Sequence, residues 1–265
     1  MVSDPGEPAS RDPGRPVQLR GLVSLVIPAH NEEPNMARVV GGAVTALREV
    51  ADSFEVVLVD DGSTDRTVDE ARRAMGASAD KLRVVSHERK SGYGVTVADG
   101  LRAARGDWVA FMDGDGQFDP ADLSRLAAKA AGADLVAGFR MRRADPWHRS
   151  VVSRTFNVFV RVLYGVRYRD VDCGFKLMRR EVLTVGHPIL ARSALLNTEI
   201  YFKARRAGLR VTQVGLTHHP RIAGVRSGGR LVPILRAVRE LVQLRWRLAR
   251  TWAPPPRPRS GSSPG

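Results

Sequence analysis

The chain has 265 residues, 43% of them hydrophobic, and a formal net charge of +14 carried mostly by arginine. That length supports one large α/β domain, and the single cysteine, Cys173, excludes an internal disulfide framework or a Cys-rich zinc site. No run of about 18 apolar residues occurs, so no transmembrane helix is predicted, and the basic balance points to an anionic partner: nucleic acid, a membrane surface or phosphorylated substrates.

Residues 1–20 are rich in Pro, Gly and charge and lack the apolar core of a signal peptide, so they read as a disordered leader. Between them and a Pro/Arg/Ser/Gly tail over 253–265, apolar runs alternate with helical patterns as in a parallel sheet. Residues 22–27 form the first predicted strand, stopped by Pro28. A helix over 33–50 follows, with Asn31 as its cap and Pro34 tolerated in the first turn. A second strand over 54–59 ends in Asp60-Asp61-Gly62-Ser63, and Ser63 or Thr64 caps a helix starting near Asp65. The third strand spans 82–86, the third helix 95–104, the fourth strand 108–112 and a fifth 135–138; residues 150–164 are helix-like. Over residues 230–252, Leu241, Leu248 and Trp252 share one helical face with Val242, while Arg239, Arg247 and Arg250 lie largely on the other. Such a basic amphipathic helix suits an anionic headgroup layer, or else packs on the domain.

The strand ends carry the chemistry. The fourth strand runs into Asp113-Gly114-Asp115-Gly116-Gln117, and alternation along an extended chain aims Asp113, Asp115 and Gln117 the same way. The intervening glycines leave room for a metal ion or a phosphate to approach the backbone. Carboxylate and amide oxygens suit a hard cation such as Mg²⁺ or Mn²⁺, which shares its shell with substrate phosphates. In open α/β sheets ligands bind beyond the carboxyl ends of the strands. That rule gathers His30, Asn31, Glu32, Asp60, Asp61, Asp113, Asp115 and Gln117 at one site. A dinucleotide fold is disfavoured, because Pro-Ala-His-Asn-Glu-Glu follows the first strand where a glycine fingerprint belongs. Plainer roles exist beside these. Glu32, Asp60, Asp61 and Asp65 are possible helix caps, Arg149 a solvated arginine, Cys173 a small buried residue, and Asp172 a partner for Arg167 or Arg169. His218 and His219 would point apart on a strand, which argues against zinc.

Three segments, Val26-Ile27-Pro28-Ala29-His30-Asn31-Glu32, Val59-Asp60-Asp61-Gly62-Ser63-Thr64-Asp65 and Met112-Asp113-Gly114-Asp115-Gly116-Gln117, closely resemble the family 2 glycosyltransferases with the GT-A fold. More narrowly the chain looks like the dolichyl- or polyprenyl-phosphate mannose synthases, over residues 22–230. The resemblance implies a Rossmann-like, mostly parallel α/β sheet flanked by helices, with a glycosyltransferase domain over 21–229 and the amphipathic helix over 230–252. It implies that Pro28, His30, Asn31, Glu32 and Asp60 line the nucleotide pocket, with Asp61 near the ribose or base. Asp115 and Gln117 would hold the metal, with Asp113 close to the nucleotide sugar; His30 stands where Tyr or Arg is more usual. Asp172-Cys173-Gly174-Phe175-Lys176 resembles the segment beneath the sugar. Arg149 and Ser153 match acceptor-phosphate ligands, and Arg221 with Arg226 and Ser227 a late segment that closes over phosphates.

The expected reaction is direct, inverting transfer of a sugar, mannose from GDP-mannose in the favoured case, to a polyprenyl phosphate on the cytoplasmic face of the membrane. A phosphate acceptor is already anionic and needs no strong base, whereas a hydroxyl acceptor would need one, with Asp172 the best candidate. A UDP-sugar donor stays open within the same class. From other classes, a basic nucleic-acid-binding module lacks a recognised motif, and a nucleotide-sugar-binding pseudoenzyme would not need the whole Asp113/Asp115/Gln117 cluster.

Overall fold

The computed structural model describes residues 18–141, 158–221 and 234–254, without the side chains of 234–238. The elements in order are β1 (Leu19–Ala29), α1 (Glu33–Val50), β2 (Ala51–Asp60), α2 (Thr67–Met75), β3 (Leu82–Ser86), α3 (Tyr93–Ala103) and β4 (Trp108–Met112). The short α4 (Leu123–Ala127), β5 (Leu135–Arg140) and a helical stretch α5 (158–164) follow. The chain then forms β6 (Phe175–Arg179), α6 (Arg180–Gly186), α7 (Leu195–Arg206), β7 (Val211–Leu216) and α8 (Ile234–Thr251).

The seven strands form one sheet in the order β3-β2-β1-β4-β6-β5-β7. All neighbours are parallel except β6, which runs antiparallel to both β4 and β5. Period-two alternation sends each strand's side chains to two cores. Trp108, Ala110 and Met112 of β4 join Leu25, Ile27, Val56 and Leu58 under α1, α2 and α4. Val109 and Phe111 join Val26, Val57 and Val59 on the other face, under α3, α7 and α8. Helix α8 belongs to this second core: Leu241, Leu244 and Leu248 are buried against the domain. Each such leucine contributes about 2 kcal/mol of burial. Trp252, just past the helix, donates its indole N–H to Val185 O at 3.0 Å.

The sequence reading needs several corrections here. Strand β1 does not stop at Pro28; it runs on to Ala29, with Pro28 paired to Val59 and Ala29 to Asp60. Although Pro28 brings no N–H, its carbonyl ties the strand end to the next loop by accepting from Gly114 N–H at 3.2 Å. Asn31 does not cap α1. It takes a left-handed φ of 54°, and its Oδ1 accepts from Thr64 N–H at 2.8 Å. Helix α2 starts at Thr67, two residues past Asp65, and of the caps expected there it is the Asp65 carboxylate, in place of Ser63 or Thr64, that accepts the Thr67 N–H at 3.0 Å. His218 and His219 lie beyond the end of β7 and not on a strand.

Candidate active site

The site is assembled by bonds between loops that are remote in sequence. At the ends of β1 and β2, Asp61 N–H donates to Ala29 O at 2.9 Å, and His30 Nδ1 lies 2.8 Å from Asp61 O. Asn31 N–H donates to Ser63 Oγ at 2.9 Å, and Glu32 N–H to Thr67 Oγ1 at 2.9 Å. At the end of β4, Gly114 is tied to Pro28 O, and Asp113 N–H donates to Gly174 O at 3.1 Å. Arg38 of α1 donates to Gly116 O at 2.5 Å, holding the glycine turn down. Farther along, His219 N–H donates to Gln117 O at 2.8 Å, and Gln117 Nε2 to His219 O at 3.1 Å. These backbone bonds fix the loop shapes and so pre-set the side chains.

The carboxylates divide into two groups. Asp60 is buried and accepts the Ser63 N–H at 3.1 Å. Asp61 is also buried, which alone would raise its pKa. Bonds from His87, Ser91 N–H at 2.7 Å and Gly92 N–H at 3.0 Å overcome this and hold the carboxyl below its ordinary value. His87 bridges Asp61 (2.8 Å) and Asp99 (3.1 Å); against the opposing effect of burial, these two keep the imidazole above its ordinary value. Gly92, part of an unremarkable G-x-G in the sequence, sits at φ 96° where its N–H can face Asp61.

The second group is the one suited to a cation. Burial first, then repulsion from Asp115, raises Asp113 to about 7, against the pull of Tyr93, Lys176 and Arg140. Asp113 Oδ1 is buried and makes no hydrogen bond, the condition of an oxygen waiting for a ligand. Asp115 accepts the Gln117 N–H at 3.1 Å through Oδ1. With Gln117 Nε2 committed to His219, its carbonyl oxygen is the end left for a metal. Among the described residues no group of three His, Cys, Asp or Glu could hold a metal by itself. A hard cation that takes one carboxylate and one amide from protein, and the rest of its shell from phosphates and water, fits this donor set.

Arg221 joins the two groups. It forms an ion pair with Glu32 and lies 3.9 Å from Asp115 Oδ2, and its side chain is only 11% exposed. Burial raises the Glu32 pKa despite this partner and the bond from Asn35 Nδ2 at 2.7 Å. Of the predicted residues, the structure therefore brings Pro28, His30, Asn31, Glu32, Asp60, Asp61, Asp113, Asp115, Gln117 and Arg221 to one edge of the sheet. Asp172 lies two residues before Gly174, whose carbonyl holds Asp113 N–H, and its Oδ1 is buried. Close by, Arg140 clamps Asp170 through Nη2 at 2.6 Å and Nε at 2.7 Å. Arg149, Ser153, Arg226 and Ser227 lie outside the described residues. Cys173 is buried, and burial pushes its thiol up to about 12, so it is no nucleophile.

Residues that the sequence reading missed support the site from below. Lys176 is fully buried between the rings of Phe111 and Tyr201, and its ammonium donates to Cys173 O and to Asn197 Oδ1 at 2.7 Å. Its charge offsets that of Asp113. Phe118 wedges against Phe175 at 6.0 Å and His218 at 5.2 Å, anchoring the loop that carries Gln117. A lysine inside an apolar strand was the available signal, since buried lysines need partners.

Comparison with known proteins agrees with this architecture. A model of glycosyl transferase family 2 matches residues 24–186. The chain is 34% identical to a polyprenol monophosphomannose synthase of Mycolicibacterium smegmatis, over 84% of this chain and 88% of that one. It is 32% identical to a dodecaprenyl-phosphate galacturonate synthase of Rhizobium johnstonii, over 81% of this chain but 63% of the relative's length. Among solved structures, glucosyl-3-phosphoglycerate synthase of Mycobacterium tuberculosis, crystallised with Mn²⁺, UDP and glucosyl-3-phosphoglycerate, superposes with a TM-score of 0.64. That match has 24% identity and covers 85% of this chain and 80% of the other, so it speaks for the α/β GT-A fold. The strand order, the acidic strand ends and these matches agree: the chain belongs to glycosyl transferase family 2.

Proposed function

We propose that this glycosyltransferase moves a sugar, mannose from GDP-mannose in the favoured case, to a polyprenyl phosphate, with Mg²⁺ or Mn²⁺ as cofactor. The observation that carries the metal-dependent reading is the buried Asp113 Oδ1, which no hydrogen bond satisfies, repelled by Asp115 in the same turn, where Asp115 accepts from Gln117 N–H. When bound there by Asp115 and Gln117, a divalent cation would supply charge neutralisation for the departing diphosphate. Asp60 and Asp61 hold the nucleoside end, with Pro28, His30 and Asn31 walling that pocket. Glu32 fixes Arg221 at its mouth. Arg221, with Arg149, Ser153, Arg226 and Ser227, orients the acceptor phosphate by charge-assisted hydrogen bonds. Because that phosphate oxygen is anionic, no general base is required; Asp172 would serve only a hydroxyl acceptor. The polyprenyl acceptor is supported by the two relatives above, whose names give a polyprenol monophosphomannose and a dodecaprenyl-phosphate galacturonate as products.

A second reading, a UDP-sugar donor, is favoured by the UDP bound in the structurally similar synthase. In either case we place the protein on the cytoplasmic membrane surface; no helix among the described residues is long and apolar enough to cross. The test is transfer of radiolabel to a polyprenyl phosphate in the presence of Mn²⁺, from GDP-mannose and from a panel of UDP-sugars. Label in lipid from GDP-mannose alone is the expected result. Label from a UDP-sugar alone selects the second reading, and label in neither case with a shift of melting temperature by nucleotide sugar would mean binding without transfer.

A further inference from the structure

A second feature lies at the far end of α7 from the donor site. The α7 N-terminus follows the 192–193 loop that abuts Gly94, whereas its last turn carries Arg205 and Arg206. With a rise of about 1.5 Å per residue, the two ends of this helix are roughly 18 Å apart. There, between α5, α7 and α8, is a cavity of about 470 Å³ lined by Tyr164, Phe202, Arg205, Arg206 and Arg245, among others, and by no acidic residue. Tyr164 and Phe202 pack edge to face at 5.4 Å, and the Arg245 and Arg206 guanidinium groups sit over the Phe202 ring at 5.2 and 6.0 Å. Arg245 spends its Nε on Leu163 O at 3.3 Å, and none of the three arginines forms an ion pair among the described residues. The nearby Glu199 is already neutralised by Lys203.

Three guanidinium groups on one aromatic-floored cavity repel one another unless an anion enters, and a phosphate with several oxygens is the anion their planar forks match. The surroundings choose its source. Helices α5 and α8 turn apolar residues outward, each pair one turn apart: Val158 and Val162 at 57% and 74% exposure, Val242 and Trp246 at 50% and 57%. Arg250 stacks on the exposed Trp246 ring. Exposed valines and a tryptophan with flanking arginines suit the headgroup level of a bilayer, where an indole is at home and anionic phosphates are dense.

We propose that the Arg205–Arg206–Arg245 cavity is a headgroup site for an anionic phospholipid, which seats the α5–α8 face on the membrane. This rests on the membrane-surface reading above but not on the identity of donor or acceptor. The test uses the full chain in co-sedimentation with phosphatidylcholine vesicles, with and without phosphatidylglycerol. We expect binding only to the anionic vesicles, reduced at least about tenfold in the Arg205→Gln/Arg206→Gln/Arg245→Gln variant. A charge-matched control on the opposite face, Arg72→Gln/Arg73→Gln/Lys129→Gln, should bind within about twofold of the parent. Equal losses in the two variants would reduce the effect to net charge and overturn the site. So would absent vesicle binding, or saturable binding of glycerol phosphate in its place. If the triple variant does not fold, Arg205→Gln/Arg206→Gln, on an exposed helix end, takes its place with the same criterion. Transfer to a short, water-soluble prenyl phosphate should be unchanged in these variants, so failure here and failure of the proposed reaction are told apart.

Discussion

The half of the sheet built on β1, β2 and β4 and the half built on β6, β5 and β7 reach the same active site by different means. In the first, side chains that face the ligand are adjacent in short acidic motifs, and backbone bonds between loops fix them. In the second, buried groups back those motifs: Gly174 O accepts the Asp113 N–H, Lys176 donates to Asn197, and Arg140 is paired with Asp170. Under the proposed function, the metal and the nucleotide fall to the first half, and the second supports them. Substitutions should separate the two.

The largest effect is expected from Asp115→Ala, which should lower the transfer rate on the order of 10²–10³-fold while leaving the melting temperature nearly unchanged. Unaltered transfer would remove Asp115 from the chemistry. Leu244→Ala, in the C-terminal helix, should do the reverse, costing about 2–4 kcal/mol in denaturant unfolding with activity per folded molecule preserved. A loss below about 0.5 kcal/mol would mean that α8 is not part of the core. Gly174→Ala tests the boundary between the halves. A Cβ there overlaps the Asp113 carboxylate, so both stability, by about 1–3 kcal/mol, and transfer should fall.

His87 gives a pH-dependent contrast inside the donor half. Its imidazole is held above the ordinary 6.5 by Asp61 and Asp99, so its stabilisation is complete below that value and is lost as pH rises through the folded-state pKa. Asp61, depressed from 3.8, contributes above that value and loses its effect as pH falls through its lowered pKa. Melting temperatures of the parent and of His87→Gln should thus differ most between about pH 4 and 6.5 and converge in alkali. A gap independent of pH would refute the charged bridge. The smallest effect is Gly41→Ala in α1, where a Cβ meets nothing within 4 Å; it should stabilise by about 0.5–1 kcal/mol.

The same contrast explains what could be read from the sequence. An apolar run ending in a polar turn marks a buried strand, so β3 and β4 were legible to the residue and the middles of β1 and β2 as well. Local rules failed where a side chain was drawn into a remote bond. Asn31 has the composition of a helix cap but bonds to the β2 loop instead, and Pro28 looks like a stop although its strand continues. Strand β6 was invisible because Lys176 breaks its apolar pattern, and the reason a lysine is tolerated there, Asn197, lies 21 residues away. Helix α8 was read as amphipathic, and its buried face is the leucine stripe at 241, 244 and 248.

The reversed strand β6 has a consequence for how such an enzyme diversifies. Met112 is paired with Phe175, so the residues that follow it, Asp113 first, are fastened to Gly174 across two antiparallel strands. β5 ends at Arg140 and β6 starts at Phe175 beside it, so residues added to the sequence between them need not slide the clasp. One residue added inside Phe175–Arg179 would instead exchange the faces of Lys176 and Leu177 and put an ammonium into the opposite core. Added length is thus better tolerated between these two strands than within β6, whose pairing with β4 keeps the edge of the site in register.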